Sequence, residues 1–310
     1  MRRGPAGLAA AMALLLAASA TSPPRAWAYA FLLVPGGGGL RQHWDLASLP
    51  LGRVPWEVSD LVAGDVRGDR GVEEVLAEAF SRWESEPAVE IGFAFGGRSP
   101  KRERDASDGV DLLTLASREH LGRGVLAATF LTSDDRGRIR DADIVFSRDV
   151  PFTTSVSPEE GRYDLEAVAV HEIGHLLGLE HSPLARATMA PFTRAGEASG
   201  RTLEEDDRIG AALLYPAPGF LAGRGWLEGE VTLDGVAVFL GHVVATAIDG
   251  PVVAGALTEP DGSYRIGGLP PGVYLVHAEP LDGPVLPGNV GSNPSGFLRE
   301  ASDGYGAAFH

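Results

Sequence analysis

The eleven-residue run HEIGHLLGLEH, His171 to His181, restricts this chain more than any other segment. His171 and His175 are four positions apart, so on a helix turning about 100° per residue they lie roughly 40° apart on one face. Glu172 sits beside them on the same turn. Gly178 comes three residues after His175, where a helix can stop in the left-handed conformation that glycine adopts cheaply. The chain can then turn back and bring His181 to the same point in space. Three neutral nitrogen donors, one open position for water and a base beside that water are what a catalytic zinc requires. The metal set read from the sequence is therefore His171, His175 and His181, with Glu172 as general base. A bare HExxH arises by accident on helix surfaces. With 41 Gly and 8 His in 310 residues, the added glycine and third histidine make a chance match about 300-fold rarer. The competing reading is a buried helix whose histidines merely satisfy the core.

The residues downstream sharpen the assignment. Ser182 follows the third histidine, and ATMAPF (Ala187 to Phe192) places Met189, Ala190 and Pro191 eight to ten positions beyond it. LEEDDRIG (Leu203 to Gly210) and then Leu214–Tyr215 close the segment. In these features the chain resembles the metzincin metalloendopeptidases, and among them the matrixins. The resemblance covers roughly residues 40–216. It implies a zinc endopeptidase whose Met189 forms an apolar floor under the metal, with Asp206 and Asp207 bracing the methionine turn. It further implies that one of these aspartates can hold the ammonium of a mature N-terminus, which here points to Asp206. Substrate would add as an antiparallel strand along GVLAATF (Gly124 to Phe130), pairing near Leu126 and Ala127, with Pro191 and Phe192 walling the side-chain pocket. Many matrixins bind a second, structural zinc through a histidine on this strand, where this chain has Ala128. That site is expected to be missing.

Residues 1–28 read as a secretory signal: Arg2 and Arg3, then an apolar stretch from Leu8 to Ala20, then small-x-small cleavage candidates ending at Ala28 or Ala30. No later segment is apolar and long enough to span a bilayer. The chain has no cysteine, so a secreted product must hold itself by its core and bound ions. A propeptide cysteine that masks the zinc, as in many matrixins, is therefore not expected. The net charge of −16 becomes −19 when the signal removes Arg2, Arg3 and Arg25. Such acidity speaks against nucleic acid as a partner. A monomer acting on protein or peptide substrates is expected.

The pattern ahead of the motif reads as strands at 54–59, 89–95, 109–116, 124–131 and 141–147, with a helical stripe over 71–83. A charged loop covers 98–108, a turn 132–138 and a glycine spacer 36–39. Asp164 is placed to cap the motif helix, and Thr202 with Glu205 to cap the next one. The expected fold class is α+β: a metzincin-like domain (29–216) with a twisted, mostly parallel sheet and about three helices. A linker (217–223) then leads to a small all-β sandwich (224–281), with short strands punctuated by DG, PDG and PPG turns. Thr258 to Pro280 resembles carboxypeptidase regulatory-like domains, and a stalk or spacer role is expected for it. Residues 282–310 are Gly-, Pro- and Ser-rich and read as a tail. Calcium is a second cation the sequence admits, near Asp108, Asp111, Asp134, Asp135, Asp141 and Asp143. Glu180 is expected to face solvent. A rival reading makes the chain a secreted surface-binding protein that functions through its β-sandwich. An inactive protease domain, however, has no chemical need for Glu172.

Overall fold

The computed structural model describes residues 31–35, 37, 39–251 and 253–281, together with the backbone of 308–309. The signal reading (1–28) and most of the tail reading lie outside these residues. The first part of the chain runs β1 (Val54–Val62), β2 (Val66–Arg67), α1 (Val72–Glu84), β3 (Phe93–Ser99), β4 (Leu112–Leu115), β5 (Ala127–Ser133) and β6 (Ile139–Phe146). It continues through β7 (Phe152–Thr153), β8 (Tyr163–Asp164), α2 (Leu165–Leu176) and α3 (Glu205–Leu214). Then come β9 (Gly225–Glu230), β10 (Thr232–Leu233), β11 (Val236–Ala237), β12 (His242–Ala247), β13 (Val253–Leu257), β14 (Ser263–Leu269), β15 (Tyr274–Glu279) and β16 (Ala308–Phe309). Among the described residues no helix is long and apolar enough to cross a membrane.

One mixed sheet organises the first part, in the order β16-β5-β6-β4-β1-β3. The pairs β1–β3, β1–β4 and β4–β6 are parallel, and β5 closes the sheet antiparallel to β6. This mostly parallel sheet matches the sequence expectation. α1 buries Val75, Leu76, Ala79, Phe80 and Trp83, the stripe legible in the sequence. Its Phe80 ring stacks on Trp56 of β1 at 4.3 Å. α2 is buried on every side, as befits a helix held between the sheet and α1. Trp83 Nε1 donates to Val170 O of α2 at 2.9 Å. The last carbonyls of α2, which no helix can satisfy internally, are taken by Trp44 Nε1 on Leu176 O at 2.9 Å and Tyr215 Oη on Leu177 O at 2.6 Å.

Three sequence expectations shift. The strand expected at 89–95 begins at Phe93, because residues 89–90 pair with the segment after α3: Val89 bridges Pro216, and Glu90 N donates to Tyr215 O at 2.8 Å. The cap of α3 is not Thr202 with Glu205. The helix begins at Glu205, and the Asp207 carboxylate accepts from Glu204 N at 2.9 Å. Of the glycine spacer, Gly37 is tied back, its N donating to Val34 O at 2.8 Å.

The second part forms a three-stranded sheet, β13-β12-β15, a two-stranded sheet, β14-β9, and the β10–β11 hairpin, all antiparallel. Ahead of it, the 217–223 segment is turned back on the first part: Ala217 N donates to Ala88 O at 3.0 Å, and Phe220 is buried. Val243, Ala245, Ala254, Ala256, Ile266 and Leu269 join the same apolar core as α2 and α3.

The start of α2 rests on a buried charge network. Glu166 is fully enclosed and accepts from Arg70 at 2.9 Å and Arg82 at 2.8 Å. Arg201 bridges from Glu166 to Asp164, whose Oδ1 also caps the helix at Ala167 N, 2.9 Å away. Removing one partner of a buried pair strands the others. Glu166→Ala should therefore cost about 3–5 kcal/mol of unfolding free energy, read by urea titration, whereas Arg98→Ala, whose partner Glu73 lies on the surface, should cost about 0–1 kcal/mol.

Candidate metal centre

α2 carries His171, Glu172 and His175, and the chain leaves it at Gly178. That residue has φ +102°, and a Cβ there would overlap the Gln42 carbonyl oxygen. Only glycine meets both demands. The reversal returns His181 to the helix: the imidazole centroids of His171, His175 and His181 lie 4.7, 5.2 and 4.8 Å apart pairwise. Their ligand atoms fall within 4.8 Å of one another, and all three residues are buried. Among the described residues this is the one group of three or more His, Asp or Glu side chains gathered so closely.

The tautomers follow from the partners. His171 Nδ1 donates to Thr188 O at 2.7 Å, and His175 Nδ1 donates to Leu179 O at 2.8 Å. A carbonyl only accepts, so both Nδ1 atoms carry the proton and both Nε2 atoms carry a lone pair. Burial pushes His175 down to about 4, while burial and the neighbouring imidazoles hold His171 well below the ordinary histidine value. The two neutral rings place Nε2 against Nε2 at 3.0 Å. Two facing lone pairs repel unless a cation accepts both, and tetrahedral zinc separates its nitrogen ligands by about 3.3 Å. The donor set thus fits zinc.

Glu172 is fully buried beside the rings. Thr129 Oγ1 of β5 donates to its Oε2 at 2.6 Å, while Oε1 has no hydrogen-bond partner. Burial lifts this carboxyl to about 8, against the pull of Thr129. A divalent cation alongside would favour the ionised form.

Met189 is buried and packs against Gly174 of α2, where a Cβ would overlap its sulfur. Asp207 ties this turn down, accepting from Thr188 N at 2.8 Å and Met189 N at 3.0 Å. The link runs on: the peptide it holds at Thr188 presents the carbonyl that orients His171. Asp206 accepts from Ser182 Oγ at 2.7 Å and Gly255 N at 3.1 Å. Both its oxygens are thus engaged, and the N-terminus once expected there lies outside the described residues. Glu180, expected in solvent, is largely enclosed; its Oε1 accepts from His181 N at 3.0 Å.

The other residues read from the sequence are placed as follows. Leu126 and Ala127 send their side chains into the core, and Leu126 O is taken by Ser147 N at 2.8 Å. Pro191 is buried and Phe192 half-buried. Of the six aspartates, Asp111, Asp141 and Asp143 are buried and near enough to repel one another, but their oxygens are not gathered as closely as the histidine nitrogens. Asp134 instead bonds Arg138 and Arg140, each at 2.8 Å. Thr129 and Thr188, which hold Glu172 and His171, were not found from the sequence. Both lie inside segments already singled out, Gly124 to Phe130 and Ala187 to Phe192, but their contacts with the centre come from tertiary pairing.

Fold and site together define a protein built around an HExxHxxGxxH metal centre at the edge of a mixed sheet. The family model described as Matrixin matches residues 56–216, just over half of the chain, and the chain belongs to that family of zinc-using peptidases. Metalloendoproteinase 1 of Glycine max is 35% identical over 159 residues, 48% of this chain and 47% of the relative. Matrix metalloproteinase-15 of Homo sapiens is 45% identical over 76 residues, 24% of this chain and 11% of the relative. Stromelysin-3 of Xenopus laevis is 28% identical over 186 residues, 57% and 33% respectively. The chain therefore matches between 11% and 47% of the length of these curated relatives.

Asp207→Ala should free the methionine turn and lower zinc affinity about 10- to 100-fold, measured by competition with a chromogenic chelator. Glu197→Ala, beyond the turn and paired only with exposed Arg194, should leave affinity unchanged.

Proposed function

We propose that this chain is a secreted zinc-dependent endopeptidase, with His171, His175 and His181 holding the metal and Glu172 as general base. The observation that carries the reading is the pair of facing Nε2 lone pairs beside a buried carboxylate with one oxygen left open. When bound, zinc lowers the pKa of a water toward about 7 and polarises a peptide carbonyl. Glu172 receives the proton of the attacking water at Oε1, while Thr129 fixes Oε2 and so the direction of the carboxylate. The same carboxyl then delivers that proton to the leaving amine. The apolar floor of Met189 and the surrounding core keep bulk water from these groups. Substrate lies along the outer edge of β5. That edge accepts an antiparallel strand: Ala308 pairs with Ala128 and Phe309 with Ala127. Recognition there is by main chain, since the side chains of Leu126 and Ala127 are committed to the core. Pro191 and Phe192 supply the pocket wall. The same proposal takes residues 224–281 as a small β-sandwich, supported by the antiparallel three-stranded and two-stranded sheets they contain.

Glu172→Gln should lower casein cleavage by about 10²–10⁴-fold while the variant retains stoichiometric zinc. A strong chelator should abolish wild-type cleavage, and zinc should restore it. Wild-type and Glu172→Gln proteins of equal activity would remove the mechanism.

Calcium is proposed at the buried aspartates. Asp111 Oδ2 and both Asp141 oxygens lack hydrogen-bond partners. Burial and mutual repulsion raise Asp111 to about 8, against the Ala142 N–H, and Asp141 to about 7, against the nearby Gly109 N–H. Both folded values exceed the ordinary carboxylate value. Without a cation, stability from these groups is present below about pH 4 and is lost as pH rises toward about 8. A hard cation with oxygen ligands reverses the loss by binding the ionised form. For zinc-loaded, calcium-free protein, Tm should fall between pH 5 and 8, and millimolar calcium should raise it most at pH 8. Asp141→Asn should flatten the pH dependence and remove most of the calcium response.

A further inference from the structure

The sequence reading made the β-sheet module a stalk. A stalk has no reason to bond to a metal centre, yet this module does so through one buried carboxylate. Gly255 lies on β13, an edge strand of the module's three-stranded sheet. Its N–H donates out of that sheet to Asp206 Oδ1 at 3.1 Å. The other oxygen of Asp206 accepts from Ser182 Oγ at 2.7 Å, and Ser182 immediately follows His181. The hydroxyl of Ser182 also accepts from Leu184 N at 3.2 Å, and Ser182 N donates to Met189 O at 2.8 Å. One enclosed side chain thus ties the module's backbone to the loop that carries the third imidazole and to the methionine turn.

The joint is closely fitted. A Cβ on Gly255 would stand 2.9 Å from His242 Nε2 and 3.2 Å from Leu184 Cγ. Gly268 of β14 lies so close to α3, the helix bearing Asp206, that a Cβ there would stand 2.5 Å from Ile209 Cγ2. Asp206 and Asp207 are adjacent buried acids that repel each other. A donor supplied by the module stabilises Asp206 where the loop alone supplies one.

We propose that the module is a positioning element of the metal centre, and that Gly255, acting through Asp206 and Ser182, fixes the loop carrying His181. The proposal rests on the zinc-endopeptidase reading and adds that the second part of the chain helps hold the third ligand in place. Linkage then requires reciprocity: zinc loading protects β13, and loosening β13 weakens zinc.

The test uses the full-length chain. Zinc release to a chromogenic chelator, kcat, KM and Tm are measured for wild type and for Asp206→Ala, Gly255→Ala, Asp206→Asn and Leu275→Ser. The first two should release zinc at chelator concentrations about 10- to 100-fold lower than wild type, with a fall in kcat at little-changed KM. Asp206→Asn keeps an acceptor for Gly255 and a group that can bond Ser182 Oγ, so it should largely restore retention. Leu275→Ser, exposed on β15 at the far edge of the same sheet, should match wild type. Hydrogen exchange of the wild type gives a second measurement that survives a variant's failure to fold: the Gly255 and Ser182 amides should both gain protection on zinc loading. Wild-type retention in Gly255→Ala, or β13 exchange indifferent to zinc, overturns the positioning role alone. A wild type that binds no zinc overturns this proposal together with the peptidase reading.

Discussion

Two imidazole lone pairs held face to face in a dry interior are the constraint around which the structure is arranged. His171 and His175 can present Nε2 to each other because Thr188 O and Leu179 O accept their Nδ1 protons. Those carbonyls are available only because neither belongs to an intact helix. Leu179 lies just past the reversal at Gly178, and Thr188 lies in the turn that Asp207 grips by its N–H groups. The histidines therefore do not position themselves. Their orientation is imposed by backbone whose own path is fixed by one glycine and one aspartate.

The scaffold meets the cost of such a centre in layers. α2 has no exposed face, so its buried polar termini need partners: the Asp164 carboxylate, itself held by Arg201, at one end, and Trp44 and Tyr215 at the other. β5 contributes to the site twice. Its inner face sends Thr129 to the carboxylate of Glu172, and its outer edge offers main chain for strand pairing. Glu172 and the outer edge of β5 are consequently held by one short strand, which fixes their relative placement.

What could be read from the sequence was what is local. The i, i+4 spacing of His171 and His175, the glycine stop, the stripe on α1 and the Asp164 cap each follow from helix geometry within a few residues. The third histidine and Met189 were legible because a family pattern spaces them. The rest depends on contacts between distant segments. Val89 and Ile91 alternate like strand residues, but Val89 and Glu90 pair with Pro216 and Tyr215 rather than with β1. Glu180, expected in solvent, is drawn inward because Gly178 turns the chain back and its carboxylate meets His181 N. Within their segments Thr129, Thr188 and Gly255 carry no signal of their own, and their importance appears only once β5, the methionine turn and the module are brought to the same centre.

X-ray absorption at the zinc edge on purified, zinc-loaded protein tests the central claim most directly. The account predicts one zinc per chain, with three imidazole nitrogens and one oxygen at about 2.0–2.1 Å, and loss of one nitrogen in His181→Ala. A zinc environment with fewer than three imidazoles in the wild type, or protein that retains no zinc, would contradict it.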